Sequence, residues 1–179
     1  MASPYLVPVA RMIRGDQSRV AVSFSAPFDP AHEFEPRGFA ESDVPLDADV
    51  DVEVTLASFI GGIRATGSVR APWHGTCRRC SAPVVGTLSA RVNERFVEDP
   101  APGDEEAYAI EGEFVDLLAL VHDAVLLELP IAPLCRENCR GLCPICGADR
   151  NEEDCQCRPE VVPRWATLDA LRIDDVASD

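Results

Sequence analysis

Six of the eight cysteines fall within residues 135–157, in the run CRENCRGLCPICGADRNEEDCQC, and the other two form C-R-R-C at Cys77 and Cys80. Nothing else in the chain constrains its fold as tightly. In Cys143-Pro144-Ile145-Cys146-Gly147 two intervening residues let both sulfurs turn toward one point, and the trailing glycine can take positive φ where the turn closes. Cys155-Gln156-Cys157 is too short for a tight disulfide within the pair but offers two sulfurs to one ion. Eight thiols divide into two sets of four, the number a structural Zn²⁺ tetrahedron needs. The expected partition is Cys143, Cys146, Cys155 and Cys157 for a tail site, with Cys77, Cys80, Cys135 and Cys139 for a second. A single zinc with spare thiols is the other count.

Three other uses of thiols compete with zinc. Disulfides need an oxidising compartment, and Met1 to Pro8 lacks the charged start and apolar core of a secretory signal. A redox C-x-x-C normally follows a strand and opens a helix, whereas Pro144 and the flanking Gly141 and Gly147 read as a loop. An iron–sulfur cluster also takes four cysteines and stays open. A catalytic zinc usually keeps a free position beside His or carboxylate ligands, and this run has no nearby His. The chain also lacks G-x-x-x-x-G-K-[ST], G-x-S-x-G and H-E-x-x-H, so the reading is not an enzyme.

Charge narrows the partners. The net charge is −15, and all sixteen basic residues are arginine. Such acidity argues against broad adhesion to phosphate backbones and favours a basic partner protein, or solubility alone. No apolar run approaches a membrane span, so no membrane partner and a cytoplasmic location are expected.

The periodicities predict an α+β fold: an antiparallel β-meander packed by one long helix, followed by a Cys-rich zinc-knuckle C-terminal segment. Leu6, Val7 and Val9, then Val20, Val22 and Phe24, alternate enough for two strands. Residues 26–45 carry four prolines and read as an irregular connection whose aromatics dock on a core, with His32 facing solvent. Val50, Val52, Val54 and Leu56 alternate with Asp49, Asp51, Glu53 and Thr55 as the clearest strand. Gly61-Gly62 is expected as the hairpin turn, and Ile63, Ala65, Gly67 and Val69 as the inward face of the return strand. Leu88, Ala90, Val92 and Phe96 mark a third strand, which places C-R-R-C at a bend between two strands, with His74 read as a satisfied loop residue ahead of a substitute for one thiol. Residues 98–113 read as an acidic solvated loop, or a docking surface for a basic partner. A helix is expected from Phe114 to Glu128, with a stripe of Leu117, Leu118, Leu120, Val121, Ala124, Val125 and Leu127, and with Asp116 in its first turn. His122 lies within it as a core or surface residue. Trp165, Leu168 and Leu171 mark a short last helix, and residues 174–179 look frayed. The expected units are a β-rich domain with one packed helix over 1–133, a Cys-rich metal-binding segment over 134–160, and a short helix and tail over 161–179.

Taken in order, several of these residues resemble the YceD family, described as large ribosomal RNA subunit accumulation proteins. They are the hairpin Val50–Val69, Cys77–Cys80, Val115-Asp116-Leu117-Leu118, Leu127-Glu128-Leu129-Pro130, Cys139 to Gly147, Cys155-Gln156-Cys157 and Pro163-Arg164-Trp165-Ala166-Thr167-Leu168. Together they span roughly residues 46–171, and residues 1–45 match the family poorly. It implies a bacterial or organellar factor needed for normal levels of 23S rRNA, acting in large-subunit biogenesis by binding. The candidate partners are a ribosomal protein, a pre-ribosomal particle, a nuclease or, weakly, the rRNA itself. The alternative from another class is a zinc/thiol redox-responsive regulatory protein. For RNA or partner contact the candidates are Arg78, Arg79, Arg136 and Arg140, which a shared metal site would gather into a patch able to make about two to four phosphate contacts.

Overall fold

The structure, a computed structural model, describes residues 3–28, 38–39, 41–45, 47–100 and 107–158. In chain order its elements are β1 (Leu6–Pro8), α1 (Ala10–Ile13), β2 (Arg19–Pro27), β3 (Gly38–Phe39), β4 (Ser42–Asp43), β5 (Asp49–Phe59), β6 (Gly62–Thr76), β7 (Pro83–Val97), β8 (Ala107–Glu111), β9 (Phe114–Asp116) and α2 (Leu118–Glu128).

The period-2 pattern of β5 is realised in full: Val50, Val52, Val54 and Leu56 are buried and the acids between them are exposed. β6 returns beside it with Val52 opposite Val69 and Leu56 opposite Ala65. Phe59 pairs with Gly62, so the two-residue turn is Ile60-Gly61 and not Gly61-Gly62. Gly61 takes the positive φ of 98° that the turn needs, and Gly62 is already strand. Outside, Arg70 bonds Glu53 at 2.7 Å, an exposed cross-strand pair. β7 then pairs with β6 over nearly its whole length, from Ile63–Phe96 to Thr76–Pro83.

Beyond this hairpin the pairing is not that of a simple meander. β2 lies on the far edge of β5, and β4 occupies the same edge of β6 near its end, where Ser42 meets Gly75 and Asp43 meets His74. β8 pairs with β7 in parallel, and β9 and β1 continue outward antiparallel. The result is a curled mixed sheet with few helices. Residues 107–111 of the expected acidic loop are therefore strand, and part of the expected irregular connection forms β3 and β4.

α2 packs against β7 and β6. Leu117, Leu120, Val121, Val125 and Leu129 share one core with Val69, Ala90, Val92 and Phe96. Each such burial contributes about 1.5–3 kcal/mol. The helix is shorter than the sequence implied. Phe114 to Asp116 pair with β8 and β1 as strand, and Asp116 Oδ1 accepts the Leu118 amide at 2.9 Å where the helix begins. Three residues read equally well at period 2 and period 3.6, and the open edge of β8 decides between them. Leu127 is 88% exposed and leaves the apolar stripe. His122 is a core residue, stacked on Phe28 at 5.4 Å. Among the described residues no helix is long and apolar enough to cross a membrane. His32, Asp104 to Glu106, the expected last helix with Trp165, Leu168 and Leu171, and the expected frayed end lie outside the described residues.

Candidate metal centres

The first centre sits at the tip of the β6–β7 hairpin. Cys77 N–H donates to Ala82 O at 2.7 Å and Ser81 N–H to Cys77 O at 2.8 Å, which closes a tight turn presenting Cys77 and Cys80 on one side. The other two ligands arrive from α2. Leu129 leaves the helix in extended conformation before Pro130, and the Arg78 amide then holds the Pro133 carbonyl at 2.9 Å. Ser42 Oγ adds a 2.6 Å bond to the Pro130 carbonyl. Two residues past Pro133 comes Cys135, whose sulfur is 3.7 Å from that of Cys80; the Cys139 sulfur is 3.8 Å from that of Cys77. Cys77, Cys80 and Cys139 are buried against Ala82, Val84 and Leu134.

The second centre is built by the tail alone. Cys143 N–H reaches Ala148 O at 2.8 Å and Gly147 N–H reaches Cys143 O at 2.9 Å, the closed knuckle that the C-P-I-C-G spacing requires. Leu142 and Asp149 form a β-bridge beneath it. Cys155 and Cys157 come back to this knuckle. In each group, Cys77 with Cys80, Cys135 and Cys139, and Cys143 with Cys146, Cys155 and Cys157, all four sulfurs lie within 4.8 Å of one another.

Backbone amides favour thiolate in both knuckles. Cys77 is lowered to about 6, first by the Cys135 amide and further by those of Arg79 and Cys80. Cys143 is likewise lowered to about 6 by the amides of Cys146 and Ile145. For Cys139, burial opposes ionisation but is outweighed by the Asn151 side-chain amide, which lies 3.4 Å from the sulfur, and by the Gly141 amide.

The donor sets fit a single ion each. A tetrahedron with metal–sulfur bonds of about 2.3 Å has sulfur–sulfur edges of about 3.8 Å. The two closest contacts in the first centre match that edge, and no disulfide joins any of the eight cysteines. His74 pairs with Asp43 at the β4–β6 edge and belongs to neither group.

The arginines are divided. Arg79 donates to the carbonyls of Cys139 at 2.9 Å and Glu137 at 3.3 Å, and Arg140 pairs with Asp154. Arg78 and Arg136 are exposed. Two of the four candidates thus brace the centres. Asn151 went unread in the sequence although it bonds a sulfur, accepts the Arg140 amide at 2.8 Å and is oriented by Asp149. The D-x-N spacing of Asp149 and Asn151, a turn signal beside a knuckle, is where it was visible.

Fold and sites together define a β-rich protein with paired four-thiol centres, one capping its longest hairpin and one in the segment behind it. The chain belongs to the YceD family: the profile described as "Large ribosomal RNA subunit accumulation protein YceD" matches residues 65–172, a range holding all eight cysteines. An uncharacterized protein of Mycobacterium tuberculosis is 34% identical over 173 residues, covering 94% of this chain and 81% of that one. An uncharacterized protein of Mycobacterium leprae is 30% identical, covering 72% and 62%. The maize "Large ribosomal RNA subunit accumulation protein YCED homolog 1, chloroplastic" is 26% identical, covering 66% and 51%. No solved structure matches the chain.

Proposed function

We propose that this protein is a non-enzymatic factor for 23S rRNA accumulation, acting by binding within the maturing large ribosomal subunit in the cytoplasm. Each of its two centres holds one structural Zn²⁺. The observation that carries this reading is the closure of both four-thiol centres inside the stretch that matches the family. Four sulfurs complete a zinc tetrahedron and leave no position for a substrate, so the ions organise surface and do not perform chemistry. Zinc, when bound, would supply folding energy to residues 134–160, a metal-organised segment set on the β-rich domain. The binding partner is a component of the pre-ribosomal particle.

Two measurements test it. Elemental analysis should return close to two zinc per chain; iron, or eight free thiols without metal, overturns the zinc assignment. Cells lacking the protein should lose 23S rRNA relative to 16S, and the tagged protein should sediment with large-subunit precursors. Unchanged 23S levels would remove the biogenesis reading.

A second reading rests on the unequal cover of the centres. Cys146 is exposed and Cys155 and Cys157 are half-buried, whereas three ligands of the first centre are buried. The tail centre would then respond to oxidant: hydrogen peroxide takes two electrons from a thiol pair, giving a disulfide and two waters, and zinc leaves. Zinc release from the tail at peroxide levels that leave the first centre loaded favours this reading.

A further inference from the structure

The β6–β7 hairpin is charged against the rest of the molecule. Residues 62–97 contain six arginines against Glu94 alone, a net charge of +5. The remaining residues hold ten arginines against thirty acids, a net charge of −20. Those hairpin arginines are ordered. The strand alternation that buries Ile63, Ala65, Val69, Ala90 and Val92 sends Arg64, Arg91 and Arg95 to the opposite, outer face.

Register concentrates them. Arg64 sits directly opposite Arg95, and Arg91 lies four residues along the same strand, about 13 Å away at the usual rise. Like charges directly opposed across a ladder cost stability, so folding does not account for the placement. Between them Thr66 pairs with Asn93 in the register, adding short hydrogen-bonding side chains. Asn93 Oδ1 accepts from Arg64 Nη1 at 3.2 Å, and the Arg64 guanidinium stands 5.9 Å over the Phe59 ring, which fixes its position. Arg70, farther along the same face, pairs with Glu53.

We infer that the outer face of the β6–β7 hairpin, centred on Arg64, Arg91 and Arg95, receives the phosphate backbone of single-stranded RNA. The inference rests on the large-subunit reading above and names its direct contact. Extended strands space same-face side chains about 6.8 Å apart, which suits successive contacts along an extended chain. Guanidinium forks bind phosphate bidentately. Phe59, the aromatic ring at this face, already lies under Arg64, so the face grips the backbone through charge and hydrogen bonds and does not read sequence. The acidic remainder repels phosphate and confines contact to the hairpin.

The test titrates metal-loaded full-length protein with a fluorescein-labelled single-stranded 23S rRNA fragment over a salt series. Three phosphate contacts predict a log–log salt slope of about 2. Arg64→Ala with Arg91→Ala should weaken binding about tenfold and flatten the slope to below about 1, while the double Lys variant keeps most of both. Arg11→Ala with Arg14→Ala removes the same charge from α1 and its C-cap, away from the hairpin, and should leave binding unchanged. Equal weakening by both Ala pairs, or full binding by the hairpin pair, overturns the inference. So does a preference of this face for polyglutamate over RNA, which would mark an acidic protein as the partner. Cells lacking the protein but with normal 23S levels would sink the large-subunit reading, whereas this titration decides the hairpin by itself.

Discussion

Gly141 lies so close to Arg79 that a Cβ on it would stand 2.8 Å from the Arg79 carbonyl oxygen. The same carbonyl accepts the Leu142 amide at 3.0 Å, and the Arg79 guanidinium holds the Cys139 carbonyl. Arg79, within the first C-x-x-C, therefore anchors the segment that leads into the second centre. Gly141 also adopts a φ of +69°, which a side chain tolerates poorly.

Gly141→Ala should accordingly cost about 1–3 kcal/mol, from backbone strain and from the displaced carbonyl. The damage should fall on the junction. Zinc transfer to a chelator should accelerate at both centres, while far-ultraviolet circular dichroism of the sheet stays at wild type. Acceleration at neither centre would show that the contact is incidental.

Replacing Cys143 and Cys146 with Ser should free only the segment behind the junction. Cys135 and Cys139 remain clamped to the hairpin tip by the first centre, and Arg78 still holds Pro133. Hydrogen exchange should lose protection over residues 141–158 and keep it through β5, β6 and β7. Loss reaching the Arg78 amide would mean that the two centres stand or fall together.

Leu120 and Leu127 separate buried from exposed positions on α2. Leu120 is 1% exposed and Leu127 is 88% exposed. Leu120→Ala should destabilise by about 2–5 kcal/mol, whereas Leu127→Ala should stay within about 0.5 kcal/mol. Denaturant midpoints of the two variants check this, and equal losses would place Leu127 against an uncharted surface.

Much of this was legible because thiol spacing and period 2 are strong local signals. The alternation in β5, β6 and β7 was readable residue by residue, since a slip of one position would expose Val50, Val52, Val54 and Leu56 together. The division of the cysteines into two fours was readable from count and spacing. What the sequence hid was non-local. Nothing in Ala107–Glu111 announces a strand parallel to β7, because pairing there is supplied by an edge formed elsewhere. Phe114 to Asp116 carry too few residues to distinguish strand from helix, and the neighbouring edge settles it. Arg79 and Asn151 read as generic polar residues, since their roles exist only once two distant segments meet.

The chain has two tyrosines, and both are held protonated. Tyr5 is raised to about 12, first by burial and then by the charge of Asp49, and its hydroxyl donates to the Pro27 carbonyl at 2.7 Å. Tyr108 is raised further, by burial first and then by its hydrogen bond to Asp123 at 2.8 Å and the charges of Asp123 and Glu94. The unfolded chain binds these protons less tightly, with an ordinary tyrosine value near about 10. Folded protein therefore holds more protons than unfolded protein above that pH, and stability must fall as pH rises further. Below about pH 10 the contribution is fully present, and it is lost progressively as pH climbs through the folded value of Tyr5 near 12. Tyrosinate absorbance should stay near zero at pH 10 in folded protein, whereas in denaturant at that pH each tyrosine is about half ionised. Tyr5→Phe should lower Tm at neutral pH through the lost bond to Pro27 and make the loss of Tm between pH 10 and 12 shallower. A folded protein showing one full tyrosinate at pH 10 would contradict the hydrogen-bonded placement of the buried Tyr5 and the half-buried Tyr108.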